Sequence, residues 1–168
     1  MKKIIIVLFI LTITMVSLKE EHVIIPEDAI RFRIIASSNK IEDQQTKIEI
    51  KEELKPLISD ILQNSDNEKS TKENINNNLN NFKKVINKYT SDYSINYGMN
   101  YFPEKEYKHT RYKAGEYESL VITLGSGEGE NWWCVLFPPL CLLEASENTL
   151  DDNTYSFYIK DLIDKYKN

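Results

Sequence analysis

The sequence has few side chains that could serve acid–base, nucleophilic or metal chemistry near neutral pH. It contains two histidines and two cysteines among 168 residues. The histidines are His22 and His109, and neither belongs to a His-Glu-x-x-His run or a comparable ligand spacing. A zinc site therefore has no set of ligands, and we expect neither a metal nor another cofactor.

The chain is also short of positive charge. It has 21 Lys and Arg against 26 Asp and Glu, a net charge of −5, which becomes −7 without residues 1–18 because only Lys2 and Lys3 are lost. Nucleic acids and anionic membrane surfaces attract Lys and Arg, and no basic block stands out. We therefore expect no nucleic-acid partner, and membrane contact only through the N-terminal segment.

The longest hydrophobic run lies at the N-terminus. Two lysines precede Ile4 to Leu18, which is nearly unbroken in apolar character. A basic start followed by about 7–15 apolar residues is typical of a secretory signal peptide, and the run is shorter than the roughly 20 residues that span a bilayer. We predict a signal peptide or signal anchor over 1–20 and one exported globular domain over 21–168. Whether the segment is cleaved stays open.

The two cysteines, Cys134 and Cys141, lie in the exported part, where one disulfide is conceivable. On one straight helix their Cα atoms would stand about 10 Å apart, beyond the reach of roughly 7 Å that a disulfide allows. Pro138 and Pro139 argue against a straight helix, so the bond remains an alternative. Our expectation is two buried, inert thiols.

Alternation of apolar and polar residues predicts three strands, since successive side chains of a strand point to opposite faces. They cover residues 30–36, 93–101 and 116–124. The first has Ile30, Phe32 and Ile34 on one side, and its arginines on the other.

Apolar residues at steps of three and four predict three helices. The first starts with Asp43 as N-cap and runs through Pro56 to Ile61, the second starts with a capping box of Ser70 and Glu73, and the last begins near Asp152. Strands with a polar face favour an α+β fold, a small, largely antiparallel sheet covered on one face by helices.

The most unusual stretch, residues 131–143, carries no charge from Trp132 onward and is too short to cross a membrane. Adjacent tryptophans point to different sides of a strand or helix, so one is expected in the core and one near the surface. Tryptophan is frequent in binding hot spots. We predict a partner-binding rim at Asn131, Trp132 and Trp133 with Phe102 and Tyr117 as neighbours; the alternative is that the whole run is core.

An exported hydrolase is the rival interpretation. Cys134 would be its nucleophile, His109 its base, and Glu116 or Glu118 the group that orients the base. An apolar setting makes a thiol unreactive, and two glutamates near the start of a strand are more simply a solvated pair. We therefore expect no enzymatic activity.

Long motifs connect the chain to a known family. The run Lys113-Ala-Gly-Glu-Tyr-Glu-Ser-Leu120, and Gly125-x-Gly-x-Gly-x-Asn-Trp-Trp-Cys-Val-Leu-Phe-Pro-Pro-Leu-Cys141 after it, resemble the stage II sporulation protein R family. So do Arg33 to Asn39 and Phe102-Pro103. The chain departs from the family pattern at Lys113, usually proline, and at Ser37-Ser38-Asn39, usually an Asn-Ser-Asp type of turn.

The resemblance implies a messenger between two compartments of a sporulating bacterium. Such a protein is made in the forespore, is exported into the space between the two membranes, and switches on a membrane-embedded aspartic-type protease that cuts the sigma-E precursor. A ligand of this kind has to bind one receptor state better than another, without chemistry of its own. An exported hydrolase or a cell-envelope binding protein is the alternative, and the sequence does not indicate an oligomeric state.

Overall fold

The computed structural model describes residues 23–107, 110–141 and 152–166. The predicted signal segment, residues 1–20, lies outside these ranges. In chain order the elements are β1 (Val23–Ile24), β2 (Ile30–Ile35), α1 (Ile41–Gln63), α2 (Glu68–Ile86), β3 (Tyr93–Phe102), β4 (Lys105–Tyr107), β5 (Thr110–Tyr112), β6 (Gly115–Leu124), β7 (Asn131–Phe137) and α3 (Asp152–Tyr166).

The main sheet has four strands in the order β3-β6-β2-β7. Strand β2 runs parallel to β6 and antiparallel to β7, and β6 runs antiparallel to β3. A second sheet has the order β1-β5-β4, in which β1 and β5 are parallel and β5 and β4 antiparallel. The α+β class is confirmed, and two of the three strand pairs of the main sheet are antiparallel, as expected.

The alternating pattern of β2 sets the two faces of the main sheet. Ile30, Phe32 and Ile34 have no exposed surface and join the main hydrophobic core with residues of α1 and α2. The ring of Phe32 lies edge-on to Phe82 of α2 at 6.3 Å between centroids. The two arginines of β2 therefore lie on the opposite face, which α1 and α2 leave uncovered.

Helix α1 is one helix that passes through Pro56, as predicted. Its buried positions include Ile50, Leu54 and Ile58, which follow the helical spacing of the sequence. The prediction of Asp43 as N-cap was wrong, because the helix begins at Ile41. Instead, the Asp43 carboxylate accepts a hydrogen bond of 2.5 Å from the Ser38 hydroxyl in the turn before the helix.

Helix α2 begins earlier than predicted. Its N-cap is Asn67, whose side-chain oxygen accepts a 2.9 Å hydrogen bond from the Ser70 amide, while the Ser70 hydroxyl accepts one of 3.1 Å from the Asn67 amide. The predicted box with Glu73 was therefore wrong: Ser70 occupies the third helical position and not the cap. Asparagine is as good a cap as serine, so the sequence offered two starts three residues apart.

The glycine-rich turn between β6 and β7 is hydrogen-bonded to the backbone that follows β2. The amide of Gly129 donates to the carbonyl of Ala36 at 2.9 Å, and a Cβ at Gly129 would stand 2.4 Å from the Ser38 carbonyl oxygen. Real Cβ contacts are never that short. This close approach fixes the register in which β7 enters the sheet beside β2.

The apolar stretch at 131–137 is strand β7, at the edge of the main sheet. Helix α3 packs on the side of the small sheet, where Ile159 is fully buried with Ile25 and Val135. Across the ranges that the structure describes, no helix combines the length and apolar character needed to cross a membrane.

Candidate functional site

The pleat of β7 separates the two adjacent tryptophans. Trp132 faces the helices, edge-on to Phe32 at 5.3 Å between ring centroids, with the Lys51 ammonium 5.5 Å from its ring. Trp133 faces the other way, edge-on to Phe102 at 5.2 Å. The two rings lie on opposite faces, as expected, but the expectation of one core ring and one surface ring was wrong, because both are half-buried.

Five side chains on the face away from α1 and α2 form what we call the arginine face: Arg31, Arg33, Phe102, Tyr117 and Trp133. The rings of Phe102 and Tyr117 are buried and lie edge-on at 6.2 Å. The Arg33 guanidinium stands 4.9 Å from the Phe102 ring centroid and 5.2 Å from that of Trp133. Guanidinium groups at such distances are attracted by the ring faces, so cations and aromatic rings hold one another in place.

Arg31 is the most deeply buried cation of this face, with 2% of its surface exposed. Its guanidinium carbon stands 3.4 Å from the Tyr117 ring centroid, and Nη2 donates to the Lys113 carbonyl at 3.2 Å. The Nε atoms of Arg31 and Arg33 are buried without a hydrogen-bond partner. Burial lowers the pKa of both guanidinium groups, yet arginine remains charged in proteins.

A cavity of about 240 Å³ opens beside Arg31, between the main sheet, the small sheet and α3. We call it the basic cavity. Its walls include Trp133 and Phe102 of the arginine face, Tyr112 of β5, and Lys105 of β4. Asn131 also lines it, and its side-chain oxygen is buried without a partner. The cavity thus combines aromatic walls with unsatisfied polar groups.

Comparison with known proteins decides the family. Residues 26–147, which contain every residue of the arginine face and most of the basic cavity, match the family described as stage II sporulation protein R. The chain belongs to this family. The protein of that name from Bacillus subtilis strain 168 is 35% identical over 134 residues, a match that spans 76% of this chain and 60% of the relative. No solved structure matches. Membership confirms the resemblance and supports a role in sporulation.

The structure gathers four of the five predicted site residues on one side of the sheet. Phe102, Tyr117 and Trp133 belong to the arginine face, and Asn131 lines the cavity beside them. Trp132 lies mainly against the helix-side core and also lines part of the cavity. Sequence reasoning missed Arg31 and Arg33 as site residues. Their place on the polar side of an alternating strand was the available signal, but that side was taken as the solvated one.

The cysteines form a disulfide, so the expectation of two free thiols was wrong. Cys134 and Cys141 are bonded with their Cα atoms 5.6 Å apart. The helical distance that argued against the bond does not apply, because Cys134 lies in strand β7 and the chain turns at Pro138, whose carbonyl accepts a 2.7 Å hydrogen bond from Leu140. Leu140, which precedes Cys141 in the chain, is a wall residue of the basic cavity.

Reduction of this disulfide is expected to lower the free energy of unfolding by about 2–3 kcal/mol, the amount of chain entropy that a loop of this length restricts. Urea unfolding with and without dithiothreitol measures the difference. A double Cys134→Ala, Cys141→Ala variant is the control, since its unfolding midpoint has no bond to lose. An unchanged midpoint for the unmodified chain would show that the bond does not form or does not stabilise the domain.

The hydrolase alternative has no free nucleophile at Cys134. Cys134 is held in the disulfide and offers no thiolate, and His109 lies outside the described residues. Glu116 is exposed, whereas Glu118 pairs with Lys72 of α2 and accepts a 2.8 Å hydrogen bond from the Tyr97 hydroxyl. The expectation of a solvated pair therefore holds for Glu116 only; Glu118 is a structural link between β6, β3 and α2.

Metal ligands are equally sparse in the part of the chain that the structure describes. It holds no group of three or more His, Cys, Asp or Glu side chains arranged to bind an ion. What distinguishes the site is a set of cations among aromatic rings beside a cavity, an arrangement suited to recognition.

Proposed function

We propose that the domain is an exported, non-catalytic messenger that binds a membrane-embedded aspartic-type protease and switches it on, so that the protease cuts the sigma-E precursor. The forespore makes the protein, and the space between the two membranes is where it acts. The sporulation role follows from the family. Export, the protease and the precursor are the parts that we propose.

The arginine face is the observation that carries the proposal. Trp133 is half-buried, with Arg33 at 5.2 Å and the exposed Lys105 at 5.7 Å from its ring centroid. Tryptophan and arginine are the residues most enriched in binding hot spots, where a rigid aromatic surface is surrounded by contacts that exclude water. Such a face supports binding to a partner without supplying a nucleophile or a base.

A messenger activates its receptor through a difference in affinity. The protease has an inactive and an active state, and the domain stabilises the active one by binding it more tightly. A hundredfold preference, about 2.7 kcal/mol, converts a receptor that is 1% active into one that is half active. A single hot-spot tryptophan contributes an energy of this order.

Co-expression in a non-sporulating bacterium tests the proposal. The cognate protease and the sigma-E precursor are produced together with the full chain or with a chain that lacks residues 1–18, and the size of the precursor is followed on a blot. We expect processing with the full chain alone, because the shortened chain stays in the cytoplasm.

The controls separate failure of the function from failure of the protein. Circular dichroism of both purified chains has to show the mixed helix and strand signal of the fold. Processing by both forms would contradict action outside the cytoplasm. Absence of processing with a folded, exported chain would contradict protease activation and favour a cell-envelope binding role.

A further inference from the structure

The basic cavity has a charge unlike that of the whole protein. The full chain carries a net charge of −5, yet among the residues that the structure describes, those that line the cavity include Arg31 and Lys105 and no Asp or Glu. Elsewhere an exposed arginine has its carboxylate: Arg111 pairs with Glu104 at 2.6 Å. Within the described residues, no such ion pair neutralises Arg31.

A buried guanidinium without a counter-ion is an expensive arrangement. Removing a charge from water requires compensation by paired charges or hydrogen bonds. Contact with the Tyr117 ring and one hydrogen bond to the Lys113 carbonyl offset part of the desolvation cost of Arg31. Its Nε–H group, however, has no hydrogen-bond acceptor. An incoming carboxylate would supply both a negative charge and acceptor oxygens, and arginine–carboxylate contacts are among the strongest hydrogen bonds in proteins.

The size and walls of the cavity define the remainder of the ligand. Its volume of about 240 Å³ is below the roughly 300–1,000 Å³ of sites for drug-sized molecules. The cavity walls include Phe102 and Tyr112, whose ring centroids stand 5.3 and 5.9 Å from the Arg31 guanidinium, together with Trp133 and Leu140. A group of about the size of one amino-acid side chain, apolar over most of its length and anionic at one end, fits both features.

We propose that the basic cavity is a binding site for a carboxylate carried on an apolar body of side-chain size. Arg31 binds the carboxylate at depth, Lys105 adds positive charge at the rim, and the aromatic walls enclose the body. The ligand is either a free small carboxylate or a carboxylate that projects from a polypeptide partner. The two sources share this chemistry and differ in what they do to the proposed signalling.

The first test uses 3-phenylpropionate as the probe and 3-phenylpropionamide as its neutral match. The full chain in detergent micelles carries Trp132→Phe, so that Trp133 in the cavity wall is its one remaining tryptophan. Quenching of the Trp133 fluorescence measures binding. We expect a dissociation constant at or below the millimolar range for the acid, and binding of the amide at least tenfold weaker, since a hydrogen bond to a charged group is lost.

Two variants locate the binding site. Lys105→Met removes an exposed charge from the rim and is expected to weaken binding of the acid severalfold, whereas Lys160→Met, an exposed lysine of α3 outside the cavity, leaves it unchanged. Arg31→Met is expected to abolish the preference for the acid over the amide, provided that circular dichroism shows a folded chain. Equal affinity for acid and amide, or identical behaviour of the two lysine variants, overturns the proposal.

A second experiment distinguishes the two sources and rests on the proposed function. Saturating 3-phenylpropionate or its amide is added to membranes that contain the full chain, the protease and the precursor. Inhibition by the acid alone identifies a carboxylate of the partner as the natural occupant, because the probe competes with it. Unchanged or increased processing identifies a free small carboxylate. The fluorescence test stands whether or not processing occurs.

Discussion

Trp133→Ala is expected to abolish precursor processing while the domain stays folded. Trp133 belongs to the smaller cluster with Phe102, Tyr117 and Val121, so its removal leaves the main core intact. Loss of a hot-spot tryptophan lowers binding by about 2 kcal/mol or more, roughly a 30-fold loss of affinity. The blot of the co-expression experiment measures the loss of signalling, and urea unfolding measures stability.

Trp132→Ala is the matched variant, since it removes the same side chain one residue away. Trp132 is half-buried and packs on Phe32 against the main core, so its loss is expected to lower the free energy of unfolding by about 2–3 kcal/mol, less than the loss of a fully buried ring. Signalling should fall only in proportion to the folded fraction. If both variants destabilise the fold equally and neither silences a folded domain, the partner-binding surface lies elsewhere than on the arginine face.

Phe32→Ala is expected to cause the largest loss of stability, about 3–5 kcal/mol, which is a large share of the 5–15 kcal/mol that holds a typical domain folded. Phe32 has no exposed surface and lies at the centre of the main sheet between Phe82 and Trp132. Neighbours on both sides cannot collapse into the space, so a cavity remains. Thermal and urea unfolding followed by circular dichroism measure the loss.

Phe157→Ala makes the same chemical change in a different setting. Its side chain is 67% exposed on α3, so little apolar surface returns to water and we expect a change within about 0.5 kcal/mol. A comparable loss in the two variants would contradict the placement of the core between the main sheet and the helices α1 and α2.

Local periodicity predicted the three helices and three of the seven strands that the structure describes, and it did not predict β1, β4, β5 or β7. The alternation at 30–36, 93–101 and 116–124 corresponds to β2, β3 and β6, and the helical stripes correspond to α1, α2 and α3. Each of these patterns reports which face of one element is buried, which is a property of neighbouring residues alone. Helix starts were less certain, because Asn67 and Ser70 are both good caps and tertiary contacts decide between them.

Strand pairing and the site required information that periodicity does not carry. The parallel pairing of β2 with β6 joins residues about ninety positions apart, and no local signal selects that partner. Arg31 and Arg33 follow the pattern of a solvated face, yet the small sheet and the aromatic rings cover that face. The disulfide forms because the chain turns after β7 and brings Cys141 back to Cys134. The Cα distance along a straight helix could not predict this turn.

The position of β2 in the sheet affects how the chain reaches its final compartment. Residues 30–35 form one of the two interior strands, but their two neighbours are residues 115–124 and 131–137. The early part of the chain therefore has no complete sheet to join until residue 137 has been synthesised. For a protein exported as we propose, this delayed folding keeps the chain unfolded while it passes through a secretion pore. The sheet then forms after the C-terminal half has reached the far side of the membrane.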